Sequence, residues 1–133
     1  MRENVEAKRR APDRHSDLFH SDCPGRVIFD DITSRWAPLI LVKLAESPLR
    51  FYELRDHIGG ISEKVLSEKL RLLTRDGLVD RTVEPAIPPR VSYALTDTGH
   101  SLAKPLRQLM RWVADNGETV LATRTGHDDQ PAS

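Results

Sequence analysis

One cysteine in 133 residues cannot form a disulfide within the chain, and a reducing cytoplasm is the expected setting. Neither sign of charge is in excess: 20 basic and 20 acidic side chains give a formal net charge of +0. A protein that coats polyanions indiscriminately carries a basic surplus, so any nucleic-acid surface must be a local patch offset by acidic surface elsewhere. No apolar run approaches the roughly 20 residues of a membrane-spanning helix. The charged N-terminal stretch lacks the apolar segment of a secretory signal, so no export is expected. Gly-x-Gly-x-x-Gly, His-Glu-x-x-His and Cys-x-x-Cys are all missing, and the five histidines are scattered. Neither an enzyme nor a bound cofactor is expected. What is present, 38% hydrophobic and 30% charged residues, fits one globular domain with one core.

Residues 1–20 are polar and nearly free of large apolar side chains, which predicts a disordered arm. A domain over 21–120 and a flexible tail over 121–133 complete the organisation. Asp22 is the expected N-cap of a first helix carrying Val27, Ile28 and Ile32, with Cys23 and Pro24 in its first turn. Thr33-Ser34 breaks it. A second helix over 36–44 tolerates Pro38 only in its first turn and ends before Ser47-Pro48. Phe51, Leu54 and Ile58 form the stripe of a third helix, and Gly59-Gly60 make a turn. Ser62 caps a fourth helix singly, since the position of a capping-box glutamate is Val65. Gly77 ends it. Val79, Arg81 and Val83, then Val91, Tyr93 and Leu95, alternate as two strands around the proline-rich Glu84-Pro85-Ala86-Ile87-Pro88-Pro89 loop. Thr96 caps a last helix over 97–116, kinked at Pro105 and stopped by Gly117. This order predicts a mostly α fold with a small β-hairpin: a winged helix-turn-helix.

On the fourth helix, Leu66, Leu70 and Leu73 fall in one narrow arc at 100° per residue and face the core. Lys64, Ser67, Glu68 and Arg71 follow i, i+3, i+4, i+7 spacing on the opposite side, with Arg75 beyond them. A recognition helix needs that layout, because Lys, Arg and Ser donate to base edges in the major groove and Glu accepts from cytosine. The plain alternative is a solvated face laced by ion pairs, such as Glu68 with Lys64 or Arg71. Position on the second helix of a helix-turn-helix, with a wing following, favours DNA. Ser62 at the helix start joins the set. Arg50 and Tyr52 at the start of the third helix are candidates for backbone phosphates, and Arg90 beside the wing loop for a phosphate or the minor groove. Arg81 has a competing use as the partner of Glu84.

The residues Cys23-Pro24, Arg35-Trp36, Arg50-Phe51-Tyr52-Glu53-Leu54, Ile61-Ser62-Glu63-Lys64-Val65-Leu66-Ser67, Asp76-Gly77-Leu78-Val79, Pro88-Pro89-Arg90-Val91-x-Tyr93-x-Leu95-Thr96 and Gly99 resemble the HxlR-type transcriptional regulators of bacteria. The likeness spans residues 23–116. It implies a homodimer, built by the first and last helices, on a palindromic operator in double-stranded DNA. Leu106, Leu109, Met110, Trp112 and Val113 are then the expected dimer residues, with intramolecular packing the alternative for Trp112. The resemblance further implies Cys23 as a redox or electrophile sensor, and leaves room for an oxidant or small-molecule effector. A helix start beside Arg26 would favour its thiolate; the alternative is a small buried hydrophobe. His15, His20 and Cys23 match no tight metal motif, and no metal is expected. The competing function is a winged-helix module that binds protein and no operator.

Overall fold

The structure is a computed structural model that describes residues 17–130. Residues 1–16 of the arm expected over 1–20, and the last three residues of the tail, lie outside those described. Among the described residues there are five helices and three strands: α1 Pro24–Ile32, α2 Ala37–Glu46, β1 Leu49–Arg50, α3 Phe51–His57, α4 Glu63–Arg75, β2 Val79–Glu84, β3 Arg90–Leu95 and α5 Asp97–Asp128.

The helix boundaries follow from local chemistry. Pro24 takes the first helical position of α1, so Cys23, not the expected Asp22, is the N-cap. A proline forces the residue before it into extended backbone, and Cys23 sits at φ −66, ψ 128. Pro38 falls in the first turn of α2, where its missing N–H costs no helix bond. Ser62 Oγ accepts from Val65 N at 3.1 Å, giving α4 its single-sided cap. At the far end of α4, Gly77 takes φ 76, Gly77 N donates to Thr74 O at 3.0 Å and Leu78 N to Leu73 O at 3.0 Å. This is a Schellman closure, and a positive φ is what favours glycine there.

The last helix departs from expectation. Gly117 does not stop α5, which runs 32 residues to Asp128 and takes in positions assigned to a flexible tail. A glycine inside a helix costs about 1 kcal/mol relative to alanine, too little by itself to end one. Gly117 lacks the left-handed backbone of a terminating glycine; only Gly60 and Gly77 have positive φ among the described residues. Pro105 lies inside the same continuous helix.

The core is built around α2. Ile40, Leu41 and Leu44 are fully buried with Leu54 from α3, Leu66, Leu70 and Leu73 from α4, and Val79 from β2. Leu95, Ala103 and Leu106 close it from the far side. The sheet has the order β1-β3-β2, antiparallel throughout. Strand β2 pairs with β3 from Val79 opposite Leu95 to Glu84 opposite Arg90, and the Pro85-Ala86-Ile87-Pro88-Pro89 loop joins them. Only Val79 of β2 is buried, so the ribbon leaves the core at once and projects as a wing. Strand β1 was not foreseen: it pairs Leu49 with Tyr93 and Arg50 with Ser92, and two residues carry no readable period.

The wing is fastened to α5 at its base. Thr96 Oγ1 donates to Gly77 O at 2.7 Å, Thr96 N donates to Leu78 O at 3.1 Å, and Gly99 N donates to Thr96 Oγ1 at 3.0 Å. Gly99 is buried against the Leu78 carbonyl so closely that an added Cβ would collide with it.

Candidate nucleic-acid interface

Helix α4 buries Leu66, Leu70 and Leu73 and leaves Lys64, Ser67, Glu68 and Arg71 exposed on the opposite face. None of Lys64, Glu68 and Arg71 forms an ion pair among the described residues, so the internal pairing offered as the plain alternative is not made. The hydroxyl oxygen of Ser62, expected among the DNA contacts, is occupied as the helix cap. Arg75 is set apart from the stripe: its guanidinium lies 3.8 Å from Asp31 Oδ2 and 3.6 Å from Asp76 Oδ1, drawn toward α1.

That corner holds two carboxyls side by side. Burial raises the Asp31 pKa above its ordinary value of 3.8, and the adjoining Asp76 carboxyl raises it further through a hydrogen bond and its charge; Arg75 and Lys69 only partly offset this. Asp76 Oδ2 is the buried side-chain oxygen lacking a donor among the described residues.

The turn between α3 and α4 is clamped by a residue that sequence reasoning passed over. Arg55 donates to Glu63 Oε2 at 2.6 Å and to Asp56 Oδ1 at 3.0 and 3.2 Å, and its guanidinium stacks 4.8 Å from the Tyr52 ring centroid. Phe51 meets Tyr52 edge to face at 5.2 Å. One cation therefore ties α3 to the first turn of α4, where Glu63 also suits the positive end of the helix dipole. The signal was an Arg–Glu pair eight apart across Gly59-Gly60, which helix periodicity cannot reveal.

Two grooves flank the wing. One, of about 600 Å³, lies between the wing and the start of α3 and is lined by Arg50, Tyr52, Arg81, Ile87, Arg90 and Tyr93 among others. The second, of about 540 Å³, separates α4 from the wing, with Ser67, Arg71, Thr74, Arg75, Arg81 and Tyr93 along it. The geometry thus brings Arg50, Tyr52 and Arg90 to one groove and Ser67 and Arg71 to its neighbour. Arg81 and Tyr93, opposite each other in the ribbon, line both. Arg81 makes no ion pair with Glu84, because residues three apart on a strand point to opposite faces. Glu84 stands opposite Arg90 instead.

The expected dimer residues divide. Leu106 belongs to the core of its own chain at 7% exposure, because it follows Ala103 by one turn on the face that meets α2. Leu109, Trp112 and Val113 are 54–55% exposed, and Met110 is half-buried. Leu109, Met110, Val113, Val120 and Leu121 continue the stripe of Leu106 along α5 after it has left the domain. Val27, Ile28 and Phe29 of α1 are bare as well.

Cys23 is buried, 3% exposed, at the start of α1. The Arg26 guanidinium beside it in sequence donates to the carbonyls of Leu18 at 3.2 Å and His20 at 3.3 Å. The His20 ring lies 3.3 Å from Asp17 Oδ2, and His15 falls outside the described residues. No helix among the described residues is long and apolar enough to cross a membrane.

The family model described as HxlR-like helix-turn-helix matches residues 31–120. The chain is 41% identical over 111 residues to the uncharacterized HTH-type transcriptional regulator YtfH of Escherichia coli (strain K12), covering 84% of this chain and 88% of that protein. It is similar to the solved structure of the transcriptional regulator ytfH from Salmonella typhimurium, with a TM-score of 0.78, 40% identity, and 82% of this chain and 97% of that one covered. The redox regulator HypR in its reduced form gives a TM-score of 0.68 at 29% identity over 74% of this chain and 98% of that one.

Proposed function

The chain belongs to the HxlR-like helix-turn-helix family of transcriptional regulators, and we propose that it works as a homodimer reading a palindromic operator in duplex DNA. The observation that carries this reading is the exposed Lys64–Ser67–Glu68–Arg71 stripe, without ion pairs among the described residues and standing beside a groove that Arg81, likewise without one, also lines. Side chains in such a row read base edges when the helix enters the major groove. Arg50, Arg81 and Arg90 hold the flanking backbone, and Tyr52 adds a hydroxyl. The bare stripe of α5, with the apolar face of α1, pairs the two copies.

Selection of bound duplexes from a random pool tests this. A palindrome with half-sites about one helical turn apart is the expected result. Affinity falls with salt at a log–log slope near −0.9 per phosphate neutralised. Folded protein that enriches no motif, or binds with a flat salt dependence, points to the protein-binding module instead. Arg71→Ala weakens specific binding by about 1–3 kcal/mol and relaxes preference at one base position. Unchanged affinity and preference in that variant would remove Arg71 from the base-reading set.

A thiol response is the second part of the proposal, supported by Cys23 lying at the root of α1 and by the likeness to a redox regulator. Modification of a 3% exposed thiol requires α1 to shift, which alters the pairing of the two copies. Selection with oxidant-treated protein, alongside Cys23→Ser, tests it: the variant binds as the reduced protein does and ignores oxidant. A response that survives the substitution removes Cys23 as its origin.

A further inference from the structure

The tip of the wing is built unlike a phosphate clamp. Its five residues, Pro85, Ala86, Ile87, Pro88 and Pro89, carry no charge and no polar side chain, and three of them lack a backbone N–H. Ile87 stands at the apex, 102% exposed. It is the most exposed large apolar side chain among the described residues. The cations lie behind the tip: Arg90 ends one strand, Arg81 lies within the other, and Arg50 lies across the groove. None of the three forms an ion pair among the described residues. An apolar point on a proline-stiffened loop, with cations set back on both flanks, matches a wedge for the minor groove. The aliphatic side chain enters between stacked bases while the guanidiniums take the phosphates alongside. Little conformational entropy is lost on insertion, because the prolines already hold the backbone.

On the basis of the DNA reading, we infer that Ile87 enters the minor groove beside each half-site and partly unstacks one base step there. Pyrimidine–purine steps open most readily, so the wing selects TA or CA/TG at a fixed distance outside the bases read by α4. Ile87 thereby contributes specificity with no hydrogen bond to a base.

The test uses full-length protein and the selected operator, with 2-aminopurine placed at successive flanking steps. Wild type raises the fluorescence at one step on each side, and the selected pool is enriched there in flexible steps. Ile87→Ser loses the signal and about tenfold in affinity, as expected for giving up a buried aliphatic side chain. Its salt slope is unchanged because no charge is removed. Arg90→Ala, in contrast, makes the slope shallower and keeps the fluorescence signal. Ile87 makes no core contact, so circular dichroism of the variant matches wild type. Binding of the operator with a silent probe at every step, or full affinity and signal in Ile87→Ser, overturns the wedge and leaves the DNA reading standing. Failure of wild type to bind any duplex removes both.

Discussion

Gly99 and Asp31 show how single positions set the energetics of this domain. At Gly99 the first turn of α5 approaches the Leu78 carbonyl too closely for any side chain, and the obstacle is backbone that cannot swing aside. Gly99→Ala is therefore expected to destabilise the fold by about 1–3 kcal/mol, measured by urea unfolding. An unchanged midpoint would mean that α5 can retreat freely from the wing. Asp31 acts in a different way. Its pKa is raised in the folded chain, so between the ordinary value and the folded one the native state binds more of this proton than the unfolded state does. The stabilisation is complete below about 3.8, the ordinary carboxyl value, and is lost as pH rises through the higher folded value. Asp31→Asn keeps a neutral donor beside Asp76 at every pH. That variant is expected to be at least as stable as wild type at pH 7, with the difference shrinking as the pH falls toward 4, in unfolding curves across that range. A variant less stable at pH 7 would show that the pairing with Arg75 outweighs the repulsion from Asp76.

Among the elements, α4 was the most legible in sequence, and the reasons are physical. Its cap, its leucine arc and its polar stripe all follow a 3.6-residue period, and each is local. Ser62→Ala should cost about 0.5–2 kcal/mol, read in the same unfolding assay; a neutral result would mean that Val65 N finds another acceptor. Legibility failed where a feature depends on distant chain. The pairing of β1 with β3, the Arg55 link from α3 to Glu63, and the turning of Arg75 toward Asp31 on α1 all join residues with no common period. The packing of Leu106 into the core of its own chain was hidden for a related reason. One stripe runs the whole of α5, and sequence cannot mark where the domain beneath it ends. Gly117 misled in the opposite direction: glycine is a stop signal only when its backbone turns left-handed, and that is a tertiary outcome. Within the candidate site, the exposed face of Lys64, Ser67, Glu68 and Arg71 was readable from its period, and the place of Arg90 beside the wing loop from the strand alternation. Tyr93 was not singled out, because alternation marks it as a core-facing strand residue rather than one that lines two grooves.

At the scale of the molecule, the decisive fact is that zero net charge coexists with local surfaces of opposite character. Unneutralised arginines gather around the wing, while α5 carries a bare apolar stripe beyond the domain. Val113→Glu, at a position 54% exposed in the single chain, should leave the fold intact and yield a monomer by sedimentation. Such a monomer binds a half-site and no longer prefers the palindrome. Wild type sedimenting as the proposed dimer with the variant unchanged would place the pairing surface elsewhere. Helix α5 has one more consequence. At 1.5 Å per residue its 32 residues span about 48 Å, and its root is fastened to the wing through Thr96 and Gly99. If two copies pair along α5 as proposed, a shift of one along the other carries its wing with it. A slip of one helical turn, about 5.4 Å, equals roughly one and a half base pairs of duplex rise. On the proposed dimer, helix α5 would thus act as a ruler: the register at which two copies mesh would set the operator spacing they measure, and a change at the root of α1 would recalibrate it.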